Sequence, residues 1–547
     1  MIFAHGDVLG TIAPECGNNR AGGEKASSGM HEKGMDRRSI LQSSVALAAA
    51  LGMARRLASM DGALAAPVAD AAQPFSSEHI KELARKLAES DYARPTVELP
   101  EPFNKLSYDQ YRDIRFKTDQ AIWRGEKLDY EVQLFPMGWL YDAPVEIWIA
   151  DQGEARQLKA DGRLFMLGPL IGKGPDAAPF GFSGFRVHNP LNRADYFDEF
   201  VVFQGASYLR AVGREQNYGS SARGLAINTA KPVGEEFPFF RAFWLEKPKA
   251  GAVNISVHAL LDSASVTGAY HFVIQPGEMT VMDVSAALFP RKNLQHVGIA
   301  PLTSMFLHGP ADQRRAGDFR PAVHDSAGLA VLNGSGERLW RPLTNPKMLQ
   351  TSAFVDKDPK GFGLWQRDRG FHDFEDLEAH YERRPTVWVE PKGAWGEGFI
   401  ELIEIPVEDE IHDNIVAYWK PAKGLEAGGP HEFQYRLHWG DQVPAAWSGA
   451  RVAKTRIGNA KKPGILLFVI DFEGTAVKEL RDLPVADLRS NTGAVTNVVV
   501  QRNPELPGIR VSFEMNPGGA DLVELRLALK VADQLISESW LYRWTKP

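Results

Sequence analysis

The sequence predicts an all-β protein built from more than one domain. Three observations carry that expectation. Short runs rich in β-formers, several of them alternating apolar and polar, recur from Leu128 to the C-terminus. Clusters containing the 50 glycines and 35 prolines, with Asp and Asn, separate most of these runs, as turns require. Helical patterns are few and do not alternate regularly with the strands, which argues against stacked βαβ units. At about 100–200 residues per domain, 547 residues need at least two.

Residues 1–34 are polar and Gly-rich without a periodic pattern. They read as a disordered extension, or as a misassigned start with Met35 as the alternative. Asp36-Arg37-Arg38-Ser39-Ile40-Leu41 then precedes a small apolar stretch from Ser43 to Met53, and Ala63-Leu64-Ala65 offers a small-residue cleavage site. This is the layout of a removed export signal. The paired arginines point to the twin-arginine route, with an ordinary Sec signal as the alternative. Residues 1–66 are therefore assigned to extension and signal peptide, and the mature chain is expected in the periplasm. No stretch is long and apolar enough for stable membrane insertion. The single cysteine, Cys16, falls in the removed segment, so disulfides, thiolate metal sites and thiol nucleophiles are not expected in the mature chain.

Phe75 to Ser90 reads as a helix, capped by Ser76 or Ser77, with Ile80, Leu83 and Leu87 at helical spacing. Tyr108 to Ile122 reads as a second helix or a mixed segment. Strands are expected at Tyr130–Leu134, Val145–Ile149, Phe200–Phe203, Val253–Leu261, Ala269–Ile274, Thr386–Val389, Gly398–Ile405 and Phe433–Trp439. One short helix is expected where Phe371, Phe374, Leu377 and Tyr381 recur. Gly440 to Gly449 is the best boundary, separating a domain over 74–440 from one over 450–547. The latter holds about five candidate strands in roughly a hundred residues, near the spacing of an Ig-like sandwich.

The formal charge of -7 shows no basic excess, so a nucleic-acid partner is not expected. There is no P-loop, dinucleotide fingerprint, H-E-x-x-H or G-x-S-x-G motif, and the 14 histidines show no zinc-like spacing. No cofactor and no metal are expected. Thirteen tryptophans could stack on sugar rings, although core packing is the commoner use of any one aromatic.

The chemistry left is carboxylic. Glu404, Glu408, Asp409, Glu410 and Asp413 form the densest cluster, and an acidic loop of this kind is also an ordinary solvated one. His324, Asp325 and Ser326 follow Arg320; in a turn such residues also bond their own backbone. Glu375, Asp376 and Glu378 lie beside Tyr381, where the alternative is the charged face of a short helix. Glycoside hydrolysis needs two carboxyl groups, one protonated and one ionised. Spacing alone does not choose the pair.

Long runs at these places are specific. They include Gly205-Ala206-Ser207-Tyr208-Leu209-Arg210, Ser221-Ala222-Arg223-Gly224-Leu225-Ala226, Ala300-Pro301-Leu302-Thr303-Ser304-Met305-Phe306, Trp340-Arg341-Pro342-Leu343 and Asp413-Asn414-Ile415-Val416-Ala417-Tyr418-Trp419. Through them nearly all of the mature chain resembles the periplasmic glucan biosynthesis proteins of the G and D types. The twin-arginine layout points to the D-type branch. The polar extension before Met35 departs from the family pattern. The resemblance implies a large N-terminal galactose-mutarotase-like β-sandwich with a glucan cleft and a small C-terminal Ig-like β-sandwich. It implies action on the β-1,2-glucan backbone of osmoregulated periplasmic glucans, as an inverting endo-glucanase or a transglycosylase. It assigns the general acid to Asp413 and the carboxylate linked to water activation to Asp325, with Glu410 and Tyr381 near the reacting centre. His324, Glu375, Asp376 and Trp365 are the substrate-binding candidates. A non-catalytic glucan-binding or scaffold protein is the alternative, and a mutarotase-like isomerase is disfavoured by the lack of a His acid/base arrangement. An exposed sandwich edge is compatible with a homodimer.

Overall fold

A computed structural model describes residues 71–172, 181–312, 317–442 and 447–546. The segments expected to be extension and signal peptide, with Cys16, lie outside the described residues. The chain is 50% strand and 8% helix, which is the all-β class expected.

Among the described residues, two large sheets dominate, one of ten strands and one of sixteen. The ten-stranded sheet runs through Gln350–Lys357, Glu397–Glu404, Ile415–Pro421, Val297–Ser304, Ser221–Arg223, Tyr208–Ala211, Tyr196–Gln204, Phe182–Arg193 and Glu131–Pro136, each antiparallel to the next. Side chains alternate between faces with period 2. In Ile415–Pro421, Ile415, Ala417 and Trp419 enter the main core, while Val416 and Tyr418 pack with Ala226 and Ile403 on the other face. Rings from both sheets meet between the layers. Phe185 stacks on Phe203 at 5.0 Å, Phe243 meets Phe185 edge-on at 5.0 Å, and Phe272 meets Phe203 at 5.2 Å. Each such ring contributes about 1.5–3 kcal/mol by leaving water. That burial holds the two sheets face to face.

The helix Ser77–Ala88 forms as its pattern predicts. The Ser76 hydroxyl accepts the His79 N–H at 3.1 Å, and Ile80 and Ala84 press on Trp148 and Trp244 of the sixteen-stranded sheet. The second helical pattern persists only as Tyr108–Arg112, after which Ile114–Phe116 becomes a strand paired with Phe165–Leu167.

The short helix expected around Phe371–Tyr381 is corrected. Only the 3₁₀ turns Phe371–Asp373 and Tyr381–Arg383 form. Between them, Asp376 accepts from the N–H groups of Glu378 and Ala379 at 2.9 and 2.8 Å, and Glu375 and His380 take φ values of 56° and 45°. An aspartate that bonds the backbone in this way competes with the helical ladder.

The C-terminal strands build a second sandwich layer. Arg451–Asn459, Leu466–Glu473, Gly508–Asn516 and Ala494–Asn503 form a four-stranded sheet. Phe468 stacks on Phe513 at 5.0 Å, with Trp540 edge-on to both. The facing strands Val485–Ser490, Leu522–Val531 and Ser539–Thr545 extend the sixteen-stranded sheet, Ser539–Thr545 lying parallel to Arg338–Pro342. Ala330, Trp340 and Trp388 therefore share the C-terminal core, and the described residues fall in one compact unit. Arg367 locks this junction. It donates to both carboxylate oxygens of Glu538 at 2.9 and 2.7 Å, and its guanidinium lies 3.5 Å over Trp340 and 4.4 Å over Trp365.

Both partners of that pair are only 5% exposed, so removing one strands a buried charge. Arg367→Ala is expected to cost about 3–5 kcal/mol, read by urea unfolding. Arg367→Lys should recover little, because an ammonium cannot fork across both oxygens. A loss below about 1 kcal/mol would show that the junction does not depend on the pair.

Candidate active site

Beside the cluster of Ala226, Ile403, Val416 and Tyr418, the outer face of the ten-stranded sheet carries polar and charged side chains. Leu209 and Ala211 point into the core, which turns Arg210 to the opposite face. Along the same sheet Arg186 donates to Gln133 and to Glu199, both at 2.8 Å. Arg223 pairs with Glu235 at 2.6 Å, between the rings of Tyr208 and Phe237.

Two carboxylates are tied to one short segment of this sheet. Asp413 precedes the strand Ile415–Pro421, and its neighbour Asn414 is fully buried. The Asn414 side chain accepts the Phe306 N–H at 2.8 Å and donates to the carbonyls of Phe306 and Ile405 at 2.9 and 3.0 Å. Its backbone N–H donates to the Ser304 carbonyl at 3.0 Å. Asp325 donates its own N–H to the Met305 carbonyl at 2.9 Å. Behind them the hydroxyls of Ser220, Ser304 and Ser326 lie within 2.9–3.0 Å of one another.

The side chains of Asp413 and Asp325 are 10% and 5% exposed. Burial pushes the Asp413 carboxyl up to about 6. The charge of Asp325 acts in the same direction, while Arg210 at 3.2 Å, the Thr303 hydroxyl at 3.4 Å and Arg384 oppose it. Asp325 is ion-paired with Arg384, which lies 4.1 Å over the Tyr381 ring. Burial keeps the Tyr381 phenol protonated far above the usual range. Nearby, Arg320 gathers Asp318 and Asp376 at 2.9 Å and Glu410 at 2.7 Å. Its fork holds Asp318 well below the usual carboxylate range. Burial works to raise the Asp376 carboxyl, but the Ala379 N–H and Arg320 outweigh it and lower it. The result is one carboxyl able to hold a proton near pH 6 beside another anchored in an ion pair. Such a split suits acid/base cleavage of a bond between neutral groups.

The structure brings Asp413, Asp325, Glu410, Tyr381 and Asp376 into this charged group. Tyr381 is 2% exposed and acts through Arg384 as a platform. Glu375 stands apart on the exposed turn, 3.9 Å from His372. Two of the substrate-binding candidates lie in packed surroundings. His324 is 1% exposed, stacked on Phe306 and edged by Phe374, and burial pushes it down to about 4, so it is a neutral packing wedge behind Asp325. Trp365 packs under Arg367 at the C-terminal core. A search for acids alone passes over the cations that organise them. Arg320 heads the Arg320–Ser326 stretch and Arg210 ends the Gly205–Arg210 run, but Arg384 belongs to no local pattern.

The family described as periplasmic glucan biosynthesis protein, MdoG, matches residues 75–544. Glucans biosynthesis protein G of Vibrio cholerae serotype O1 is 51% identical over 474 residues, covering 86% of this chain and 87% of the relative. The protein of that name from Shewanella frigidimarina is 51% identical over 476 residues, covering 86% and 85%. The one from Bradyrhizobium diazoefficiens is 46% identical over 512 residues, covering 93% and 100%. These relatives carry the G-type name, which corrects the D-type branch expected from the paired arginines.

Arg210→Met removes the nearest cation from Asp413 and leaves burial in place. The carboxyl should then titrate above 6, followed by ¹³C NMR of carboxyl-labelled aspartate. An unchanged or lower midpoint would show that Arg210 does not control this proton.

Proposed function

Because the chain belongs to the periplasmic glucan biosynthesis protein family, we propose that it remodels the backbone of an osmoregulated periplasmic glucan by acid/base cleavage of β-1,2-glucosidic bonds. The observation that carries this reading is the electrostatically coupled pair of Asp413, raised to about 6, and Asp325, held by Arg384. Membership itself places the protein in periplasmic glucan biosynthesis. Among the described residues no helix is long and apolar enough to cross a membrane.

In this mechanism Asp413 donates its proton to the glycosidic oxygen as the bond to the anomeric carbon breaks. Arg210 then stabilises the carboxylate left behind. Asp325 receives the proton of the attacking group, directly or through an intervening hydroxyl, as that group adds to the opposite face with inversion. Water as the acceptor gives hydrolysis, and a sugar hydroxyl gives transglycosylation. Glu410 and Asp376 hold Arg320 at the edge of the site. The ligand is a neutral polysaccharide, and the cluster's charges are largely paired internally, so recognition rests on hydrogen bonds and stacking rather than net charge. A non-catalytic scaffold would use the same polar face without a raised carboxyl.

Asp413 has a folded-state pKa above its ordinary value of 3.8. The folded chain therefore keeps a proton that the unfolded chain releases between about pH 4 and 6, and this group disfavours folding progressively across that window. The active acid form likewise fades above pH 6, so the rate should fall about tenfold per unit there. On linear β-1,2-glucan, Asp413→Asn should lower turnover by about 10²–10⁴-fold, and Asp325→Asn comparably, read by product analysis of the mature protein. Short linear products mean hydrolysis, and re-linked products without new reducing ends mean transfer. Full activity in Asp413→Asn overturns the assignment. Glucan bound but unchanged after long incubation moves the reading to the scaffold.

A further inference from the structure

The opposite sheet holds a second cluster that the glucan chemistry does not use. Glu246 ends the strand Phe239–Glu246, His258 lies in Ile255–Asp262, and His271 lies in Val266–Gln275. His258 and His271 are direct cross-strand partners, and their rings stack at 4.1 Å with an interplanar angle of 2°. The Glu246 carboxylate lies 2.6 Å from His258 Nε2. One ligand atom from each of the three residues lies within 4.8 Å of the others. Among the described residues this is the one group of three His, Cys, Asp or Glu side chains that meets so closely.

Packing alone leaves this cluster unexplained. His271 Nε2 is buried without a hydrogen-bond partner. Glu246 satisfies His258 only, and two imidazoles held face to face cannot both carry a proton comfortably. Among the described residues no hydrogen-bond partner reaches His271 Nε2. Phe75 meets His258 edge-on at 5.2 Å, and Trp244 is its other cross-strand neighbour. The His258 side chain is 2% exposed but Glu246 is 43% exposed, so the cluster is open to solvent on one side.

We propose that Glu246, His258 and His271 form a site for a divalent transition-metal ion of the zinc class. Two imidazoles and one carboxylate suit Zn²⁺, Co²⁺ or Ni²⁺, and three protein ligands leave a position for water. The ion takes the place of the proton between Glu246 and His258 and gives His271 Nε2 the partner it lacks. Metal–ligand bonds of about 2.0–2.2 Å require the ligand atoms to draw closer together and the two parallel rings to splay, because each nitrogen's lone pair lies in its own ring plane, while the partly exposed Glu246 side chain rotates onto the ion. The histidine spacing in sequence shows no zinc pattern because the two rings face each other only once the hairpin has formed. The ion would tie three strands together beside Phe75 and the N-terminal helix. This inference does not rest on the glucan reading.

The test uses tag-free mature protein, stripped with a chelator and re-equilibrated with Zn²⁺ or Co²⁺ alone. About one equivalent per chain is expected by elemental analysis, with a visible Co²⁺ absorption band and a melting temperature raised by several degrees. His271→Ala and Glu246→Gln should each lower the affinity at least about tenfold. Glu246→Gln alters a partly exposed group, so its far-ultraviolet dichroism should match the parent and exclude misfolding as the cause. Stripped protein that takes up neither ion at micromolar concentrations overturns the site. So does binding that is unchanged in both variants, which would place the metal elsewhere.

Discussion

The candidate site depends on the way Asn414 grips the segment Ser304–Phe306. A buried asparagine amide must satisfy both its donors and its acceptor, and here each finds a backbone group. The grip fixes where the strand Ile415–Pro421 begins, and so where Asp413 leaves the sheet. Asp325 hangs from Met305, inside the same segment. The two carboxylates thus share one rigid support although they are far apart in sequence. A bulge between Ile299 and Leu302, with Ala300 at a φ of 49°, lies just upstream and re-aims the strand toward this junction.

The charges can be close because each acid is answered by a cation of fitting shape. Arg384 serves Asp325, Arg210 serves Asp413, and Arg320 serves three carboxylates. Arginine suits this use because its planar fork stays charged when buried and also lies flat on a ring, as Arg384 does on Tyr381. Asp413 differs from Asp325 in the balance of these forces. Its burial and the neighbouring anion outweigh the pull of Arg210, which is why its carboxyl is pushed toward neutral pH. A proton donor and an ion-paired neighbour arise from one residue type placed in two environments.

What was legible in the sequence was local. Alternation with period 2 located strands such as Glu131–Pro136, Ile255–Asp262 and His431–Gly440 to within a few residues. The Ser76 cap located the first helix. Asp413 and Glu410 stood in a visible acidic cluster and Asp325 in a His-Asp-Ser turn, although only the resemblance ranked them. Long-range pairing was not legible. Nothing in Ser539–Thr545 announces that it will lie parallel to Arg338–Pro342. The helical spacing of Phe371, Phe374, Leu377 and Tyr381 misled for a physical reason. Phe374 and Tyr381 are buried through a turn wound around Asp376 without a helix between them, while Phe371 and Leu377 stay exposed.

That turn also shows why the C-terminal layer bears on the site. Lys454, on a strand of the four-stranded sheet, bonds Asp368 and reaches Asp373 at 2.8 Å. Asp373 caps the start of the 371–384 segment by accepting the Gly370 N–H at 3.0 Å. The far end of the same segment carries Tyr381 and Arg384. Arg369 bonds the carbonyls of Glu382 and Arg384, closing the segment back on its own base. A chain with little regular structure would ordinarily be the most mobile part of such a site. Here it is anchored at its start by the C-terminal layer and closed at its end by an arginine, so the cation that holds Asp325 inherits the rigidity of both sandwiches. The shared sheet and the Arg367–Glu538 pair are therefore more than a domain junction. They fix the base on which the geometry of Asp325 rests.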